Sequence, residues 1–162
     1  LAATMQEATS AGVLDDTEVV SLAAATGGRV VSTTLQLGHR VPAYCTANGR
    51  VLLAARPPEA LDAWLARREV QQGLRACTPR TLTQPDALRE ELVRVRSQGH
   101  ALVDQEMELG LRTLAVPLRN HRGEVVAALN VSALAARVSL EVLRERFLPI
   151  LLEAQQRLRP LL

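Results

Sequence analysis

The stretch VPAYCTANGRVLLA, Val41 to Ala54, runs from a loop into an apolar helix whose first residues, Thr46, Ala47, Asn48 and Gly49, are small and polar. The first N–H groups of a helix lack partners and sit at the positive end of its dipole. Small side chains there leave room for a carboxylate or phosphate to reach those groups. The plainer alternative is a Thr46 hydroxyl cap with Gly49 permitting close packing. A second group lies on strands, where alternate residues face opposite sides. In LRTLAVPL, Leu111, Thr113 and Ala115 share one face and Arg112 takes the other, as a structural residue paired with an acid. In ALNVS, Asn130 and Ser132 share a face with Ala128, and Asp104 and Glu106 fall on one side of VDQEME. Such positions offer donors and acceptors to a ligand, or else line the solvated face of an antiparallel sheet. A third possibility is nucleophilic chemistry at Cys45, whose place at a helix N-terminus would lower its pKa, with His100 and Asp104 as partners. No nucleophile elbow or cysteine-hydrolase signature accompanies it, and a buried structural Cys is the simpler reading.

The elements around those residues must hold them in place. Runs ATSAGVL and EVVSL, within Ala8 to Leu22, read as strands separated by the turn residues Asp15-Asp16-Thr17. After a break at Gly27-Gly28, RVVSTTLQL supplies a third strand ending at Gly38, and Pro42 closes the extended region. Thr46 caps a helix from Ala47 to Ala55; Pro57-Pro58 stops it and starts another that carries Leu61, Trp64 and Leu65 at helical spacing. Thr83-Gln84-Pro85-Asp86 begins a third helix, with the Thr83 hydroxyl as cap, Leu88, Leu92 and Val95 as its buried stripe, and Gly99 as its end. Strands follow at Ala101 to Asp104, Leu111 to Arg119 and Val125 to Ser132, the last two joined by the Gly-containing turn NHRGE. A final helix from near Ser139 puts Leu140, Leu143, Phe147, Ile150, Ala154 and Leu158 on one side, and Pro149 must kink or split it. This order predicts a single α+β domain in which helices pack on an antiparallel sheet.

The totals narrow the function classes. A chain of 162 residues, 48% hydrophobic and 22% charged, has globular composition and can bury about 70% of its unfolded surface. No run of about eighteen uncharged apolar residues occurs, so no segment is expected to span a membrane. The opening Leu1-Ala2-Ala3-Thr4 has no Met and no signal-peptide pattern, and reads as part of something longer. The net charge is +2, and all nineteen basic residues are Arg, interleaved with acids as in Arg144-Glu145-Arg146. That is a poor electrostatic footprint for nucleic acid, and Tyr44, Trp64 and Phe147 are too few for base stacking. Cys45 and Cys77 read as free thiols in a reducing cytosol, and His39, His100 and His121 have no zinc-site spacing.

GHRVPAYCTANGRVLLAA, together with TPRTLTQPDALREELVRVRSQGHALVDQEMELGLRTLAVPLRNHRGEVVAALNVSALAARVSLEVLRERFLPILLEA, resembles the effector-binding domain of IclR-family transcriptional regulators. Within the family the chain looks most like the branch governing aromatic-acid catabolism through the β-ketoadipate pathway, and the likeness runs from about Ala8 onward. The resemblance implies a GAF-like α+β domain in a cytoplasmic, non-enzymatic sensor without cofactor or metal. It implies an effector that is a small organic acid, either aromatic (protocatechuate, 4-hydroxybenzoate) or a pathway intermediate such as β-ketoadipate. It implies homodimers or homotetramers, and DNA contact only through an N-terminal winged helix-turn-helix that this chain does not contain. The last helix's apolar stripe could share in such oligomer contacts. Carried onto this chain, the family pocket is formed by Thr46, Ala47, Asn48 and Gly49, by Asp104 and Glu106, and by Leu111, Thr113, Asn130 and Ser132.

The chain departs from the family pattern at Val103-Asp104, where many relatives carry two acids, and at Ser21 and Ala23 to Ala25, where relatives often place Tyr and Arg. The Gly27-Gly28 turn and Thr4-Met5-Gln6 also fit poorly. If these positions touch the effector, a different acid is implied. Two other classes of function stand beside the sensor: a small-molecule enzyme built on Cys45, and a dimerisation module without a ligand.

Overall fold

The computed structural model describes residues 1–28 and 36–162. Among the described residues six strands form one sheet: β1 (Ala8–Asp15), β2 (Glu18–Ala25), β3 (Arg40–Pro42), β4 (Ala101–Asp104), β5 (Leu111–Arg119) and β6 (Val125–Leu134). Their order is β3-β2-β1-β6-β5-β4, and every described pairing is antiparallel. The centre of the sheet thus joins β1 to β6, two strands far apart in sequence. Helices α1 (Ala2–Met5), α2 (Ala47–Ala54), α3 (Pro58–Leu65), α4 (Arg68–Gln71), α5 (Pro85–Gln98), α6 (Leu140–Val142) and α7 (Leu148–Leu158) cover both faces.

Strand alternation sorts the core into two layers. On one face, Val19, Ala101, Val103, Ala115 and Ala128 pack with Ala47, Val51 and Leu53 of α2, with Leu61, Trp64 and Leu65 of α3, and with Leu88, Leu92 and Val95 of α5. On the other, Leu114, Val116, Leu118, Leu129, Val131 and Ala133 meet Leu143, Phe147 and Leu151 from the C-terminal helical segment, together with Met5. Each fully buried Leu or Val contributes roughly 1.5–3 kcal/mol relative to exposure. The last helix's stripe is therefore largely core.

Local chemistry accounts for most boundaries. Thr46 caps α2: its Oγ1 accepts from the Gly49 N–H (3.3 Å) and donates to the Pro42 carbonyl (2.8 Å). Gly99 ends α5 at φ 76°. Asn120 Oδ1 organises the hairpin turn by accepting from the N–H groups of Arg122 and Glu124, both at 3.0 Å. Pro149 does split the final helix. Residues Leu143–Phe147 form a π-helical turn in which the Leu148 N–H reaches back to the Leu143 carbonyl, the usual way to absorb a proline's steric demand.

Some expectations need correction. Gln84, with no side-chain cap, precedes α5, so the Thr83 hydroxyl does not cap it. Positions 29–35 of the expected strand RVVSTTLQL lie outside the described residues; Gln36 and Leu37 form a bend and turn, and among the described residues the third strand is Arg40–Pro42. The short helices α1 and α4 fall below the length at which periodicity shows.

The helix start is tightly seated. A Cβ added to Gly49 would lie 2.1 Å from the Ala43 carbonyl oxygen and 2.3 Å from its Cα. Gly49→Ala is accordingly expected to lower stability by about 1–3 kcal/mol or more, measured as a lower urea midpoint at unchanged m. An unchanged midpoint would show that α2 can move off the preceding loop without loss.

Candidate functional site

The sheet face under α2 contains more polar side chains than a core layer normally tolerates. Val103, Thr113, Ser132 and Ala8 form one cross-strand row, and Ala101, Ala115, Asn130 and Ser10 the next. Above them, α2 begins. Between lies a cavity of ≈ 70 Å³, several times what one water needs. Its walls are Ser10, Val19 and Ser21 from β1–β2, Cys45 to Asn48 at the helix start, Thr113, Asn130 and Ser132 from β5–β6, and Val103, Met107 and Leu111 at one side. His39 and Val41 complete it, and among the described lining residues there is no Arg, Lys, Asp or Glu.

Several polar groups there have no protein partner. Buried side-chain oxygens lacking one among the described residues belong to Ser21, Asn48, Thr113 and Glu91, and the first three of these residues line the cavity. The Ala47 and Asn48 N–H groups are first-turn donors that the helix itself cannot satisfy. Thr46 Oγ1 takes up only the Gly49 N–H. Burying so many unmet polar groups costs free energy unless something else meets them.

Of the residues expected at the site, Thr46, Ala47, Asn48, Leu111, Thr113, Asn130 and Ser132 are brought together around this cavity. Gly49, Asp104 and Glu106 are not. Gly49 turns its bare Cα against the Ala43 backbone. Asp104 pairs with Arg112 of β5 on the opposite face of the sheet, 2.7 Å from its Nε, and with Arg80 at 2.8 Å. Glu106 is bound by the guanidinium of Arg50, itself 1% exposed, and accepts from the Leu82 N–H. The alternation that placed Asp104 and Glu106 on one side fails because β4 ends at Asp104 and Gln105 is left-handed, with φ 62°. Sequence reasoning did not select Ser10, Val19, His39, Val41 or Met107 as cavity residues. Ser10 and Val19 could have been found by extending the parity argument to β1 and β2. Met107 follows an irregular turn and carried no such signal. Ser21 and Val103, which the sequence reading set apart as departures from the resemblance, both line the cavity.

The cysteine arrangement is not assembled for catalysis. Cys45 is buried, and burial followed by its neighbour Cys77 pushes its thiol up to about 12. Asp104 faces Arg112 on the other side of the sheet from the cavity that Cys45 lines. His100 Nδ1 lies 3.2 Å from the Gln98 carbonyl oxygen. Both cysteines are free, and among the described residues no three His, Cys, Asp or Glu side chains gather as a metal set.

Over residues 1–159 the sequence matches the family model described as Bacterial transcriptional regulator IclR C-terminal. The chain belongs to this family. It is 44% identical over 153 residues to the Pca regulon regulatory protein of Pseudomonas putida, covering 94% of this chain and 51% of that protein. It is 36% identical over 154 residues to the p-hydroxybenzoate hydroxylase transcriptional activator of Acinetobacter baylyi, covering 92% and 55% respectively. The chain thus spans about half the length of these curated relatives. Among solved structures, the inducer-binding domain of the PobR transcription factor from Acinetobacter superposes with a TM-score of 0.90 at 34% identity, covering 99% of this chain and 91% of that one. That domain is a double mutant in complex with 3-hydroxybenzoic acid. The α+β architecture of this IclR domain is that of the family.

Two measurements follow from the site's electrostatics. Iodoacetamide at neutral pH should modify exposed Cys77 and spare Cys45 until the IclR domain is unfolded; rapid Cys45 labelling in the folded protein, read by peptide mass spectrometry, would restore the nucleophile reading. For Asp104, burial pushes the carboxyl up, but hydrogen bonds from Arg112 and Gln105 and the charges of Arg112 and Arg80 outweigh it, so its pKa lies below the ordinary value. A depressed carboxyl contributes stability that is complete above about 3.9 and lost as pH falls through its lower folded value. Asp104→Asn should therefore lower the melting temperature at neutral pH, with the gap to wild type closing as the pH falls below the ordinary aspartate range. A gap independent of pH would refute the charge contribution.

Proposed function

We propose that this domain senses a small aromatic acid in the cavity under α2 and controls a DNA-contacting domain lying outside the chain. The observation that carries this reading is the pairing of the first-turn N–H donors of α2 with a walled cavity in which buried oxygens of Ser21, Asn48 and Thr113 lack partners. Ala47 and Asn48 offer two N–H donors at the positive end of α2, which suits a carboxylate. Val19, Val41, Val103, Met107 and Leu111 offer apolar walls to a ring. The relatives named for Pca and p-hydroxybenzoate genes, and the PobR domain in complex with 3-hydroxybenzoic acid, support an aromatic acid over other classes. The domain acts by binding and performs no catalysis, in keeping with the transcriptional regulators it matches. In the whole protein a winged helix-turn-helix precedes it, homodimers or homotetramers form, and the effector alters how they hold DNA in the cytoplasm. No helix among the described residues is long and apolar enough to cross a membrane.

A thermal-shift screen against small carboxylic acids tests the reading. A ligand at 100 times its Kd stabilises by about 2.7 kcal/mol, several degrees for a domain of this size. Hydroxybenzoates should raise the melting temperature, the corresponding benzamides should not, and Ala47→Leu should abolish the shift by filling the space before the helix. If no acid moves the melt, the cavity is no effector site, and the dimerisation-module reading replaces this one.

A further inference from the structure

The polar floor of the cavity has a direction, set by one backbone N–H. The Ser10 N–H donates to Asn130 Oδ1 at 3.1 Å, and the Ser10 hydroxyl donates to the same oxygen at 2.7 Å. A backbone N–H can only donate, so the amide oxygen of Asn130 must face Ser10. Its Nδ2 then points along the strand and donates to Ser132 Oγ at 3.3 Å. Having accepted that bond, the Ser132 hydroxyl keeps its own proton to donate, and no acceptor among the described residues receives it. Directly across the β5–β6 pairing from Ser132 stands Thr113, whose buried Oγ1 has no partner. Directly paired residues on one face hold their Cβ atoms about 5 Å apart, so a single ligand atom can reach both hydroxyls.

We propose that Ser132 and Thr113 form a hydroxyl-reading pair, with Asn130 as its positioning residue, which selects a monocarboxylic acid bearing a neutral hydroxyl over a dicarboxylate. The proposal rests on the reading of the cavity as the effector site. A hydroxyl between the two can accept from Ser132 and donate to Thr113, satisfying both. A second carboxylate there would have no Arg or Lys beside it among the described lining residues, where the His39 imidazole is the one side chain able to carry positive charge, and a buried charge without a close cation is heavily penalised. The carboxylate already has the helix start. Sites that hydrogen-bond a hydroxyl reject the analogue lacking it far more strongly than apolar pockets reject an added one, so discrimination should be large and should sit in these side chains.

Titration calorimetry on the 162-residue chain tests this with benzoate, its 3- and 4-hydroxy derivatives, 3,4-dihydroxybenzoate and adipate. At least one hydroxylated acid should bind about tenfold or more tighter than benzoate, and adipate more weakly than that acid. Thr113→Val and Ser132→Ala should each cut the hydroxylated-to-benzoate affinity ratio about tenfold, with a cooperative thermal melt of each variant reporting that it is folded. Asn130→Asp retains both hydroxyls but turns the Ser132 proton onto the new carboxylate. It should lower the same ratio, whereas a merely structural Asn130 would leave the ratio unaltered. Equal affinities for benzoate and the hydroxylated acids, ratios indifferent to all three substitutions, or tighter binding of adipate would overturn the hydroxyl-reading pair while leaving an acid site standing. Binding of none of these acids would sink the effector reading itself, and this proposal with it.

Discussion

Arg50 is the side chain on which the site's geometry depends. Its guanidinium is buried one turn into α2, where its Nε donates to the Tyr44 carbonyl at 2.9 Å and its two terminal nitrogens hold the Glu106 carboxylate, with Glu91 of α5 3.7 Å away. A charge so placed is tolerable only because it is paired and hydrogen-bonded. Removing it would leave buried carboxylates uncompensated, which typically costs several kcal/mol. The consequence is positional. The loop before α2, the first turn of α2, the segment after β4 and the middle of α5 are tied to one planar cation, and the first three of these bring Cys45 to Asn48, Met107 and Leu111 to the cavity. Glu106 shapes the site by holding Arg50.

Around that anchor the domain uses ordinary packing to place unusual polarity. Arg96 of α5 donates to the Ala54 carbonyl at 2.6 Å and to that of Arg56, closing the far end of α2 where its dipole is negative. Arg137 grips the buried carboxylate of Glu7 through both oxygens at 2.9 and 2.8 Å, fastening the residue before β1 to the turn after β6. The β1–β6 pairing so secured is what brings Ser10 to Asn130. A sheet face that would otherwise be a continuous apolar layer therefore carries a directed set of hydroxyls and amides, enclosed by a helix whose end is electropositive. Such a face is expensive to bury with its polar groups unmet.

Much of this was legible in the residues. Period-two alternation gave β5 and β6 and put Thr113 with Leu111 and Ala115 on one side of its strand, and Asn130 with Ser132 on one side of theirs, because a regular strand leaves its side chains no other choice; the β5–β6 register then set them on one face. The small polar start of α2 was legible as a capped terminus with open N–H groups, and Gly99 and Pro149 as an end and a break. What failed did so where regular geometry stops. Asp104 and Glu106 were set together by alternation, and a single left-handed residue, Gln105, separates them onto different partners. Gly49 was grouped with its neighbours by proximity in sequence, yet helical rotation turns it from the cavity and onto Ala43.

The sequence by itself determined an α+β domain, the helix start and the polar face of the hairpin, because these rest on periodicity, capping and local hydrogen bonding within a few residues; the family was legible only as a resemblance of motifs. Only the tertiary structure decided which charges are structural, that Ser10, Ser21 and Val103 face the same space as Asn48, and which way Asn130 points. Those outcomes depend on which strands pair and in what register, over separations as large as the 120 residues between Ser10 and Asn130. Local propensity carries no information at that range. Burial and hydrogen-bond satisfaction in the assembled core settle it.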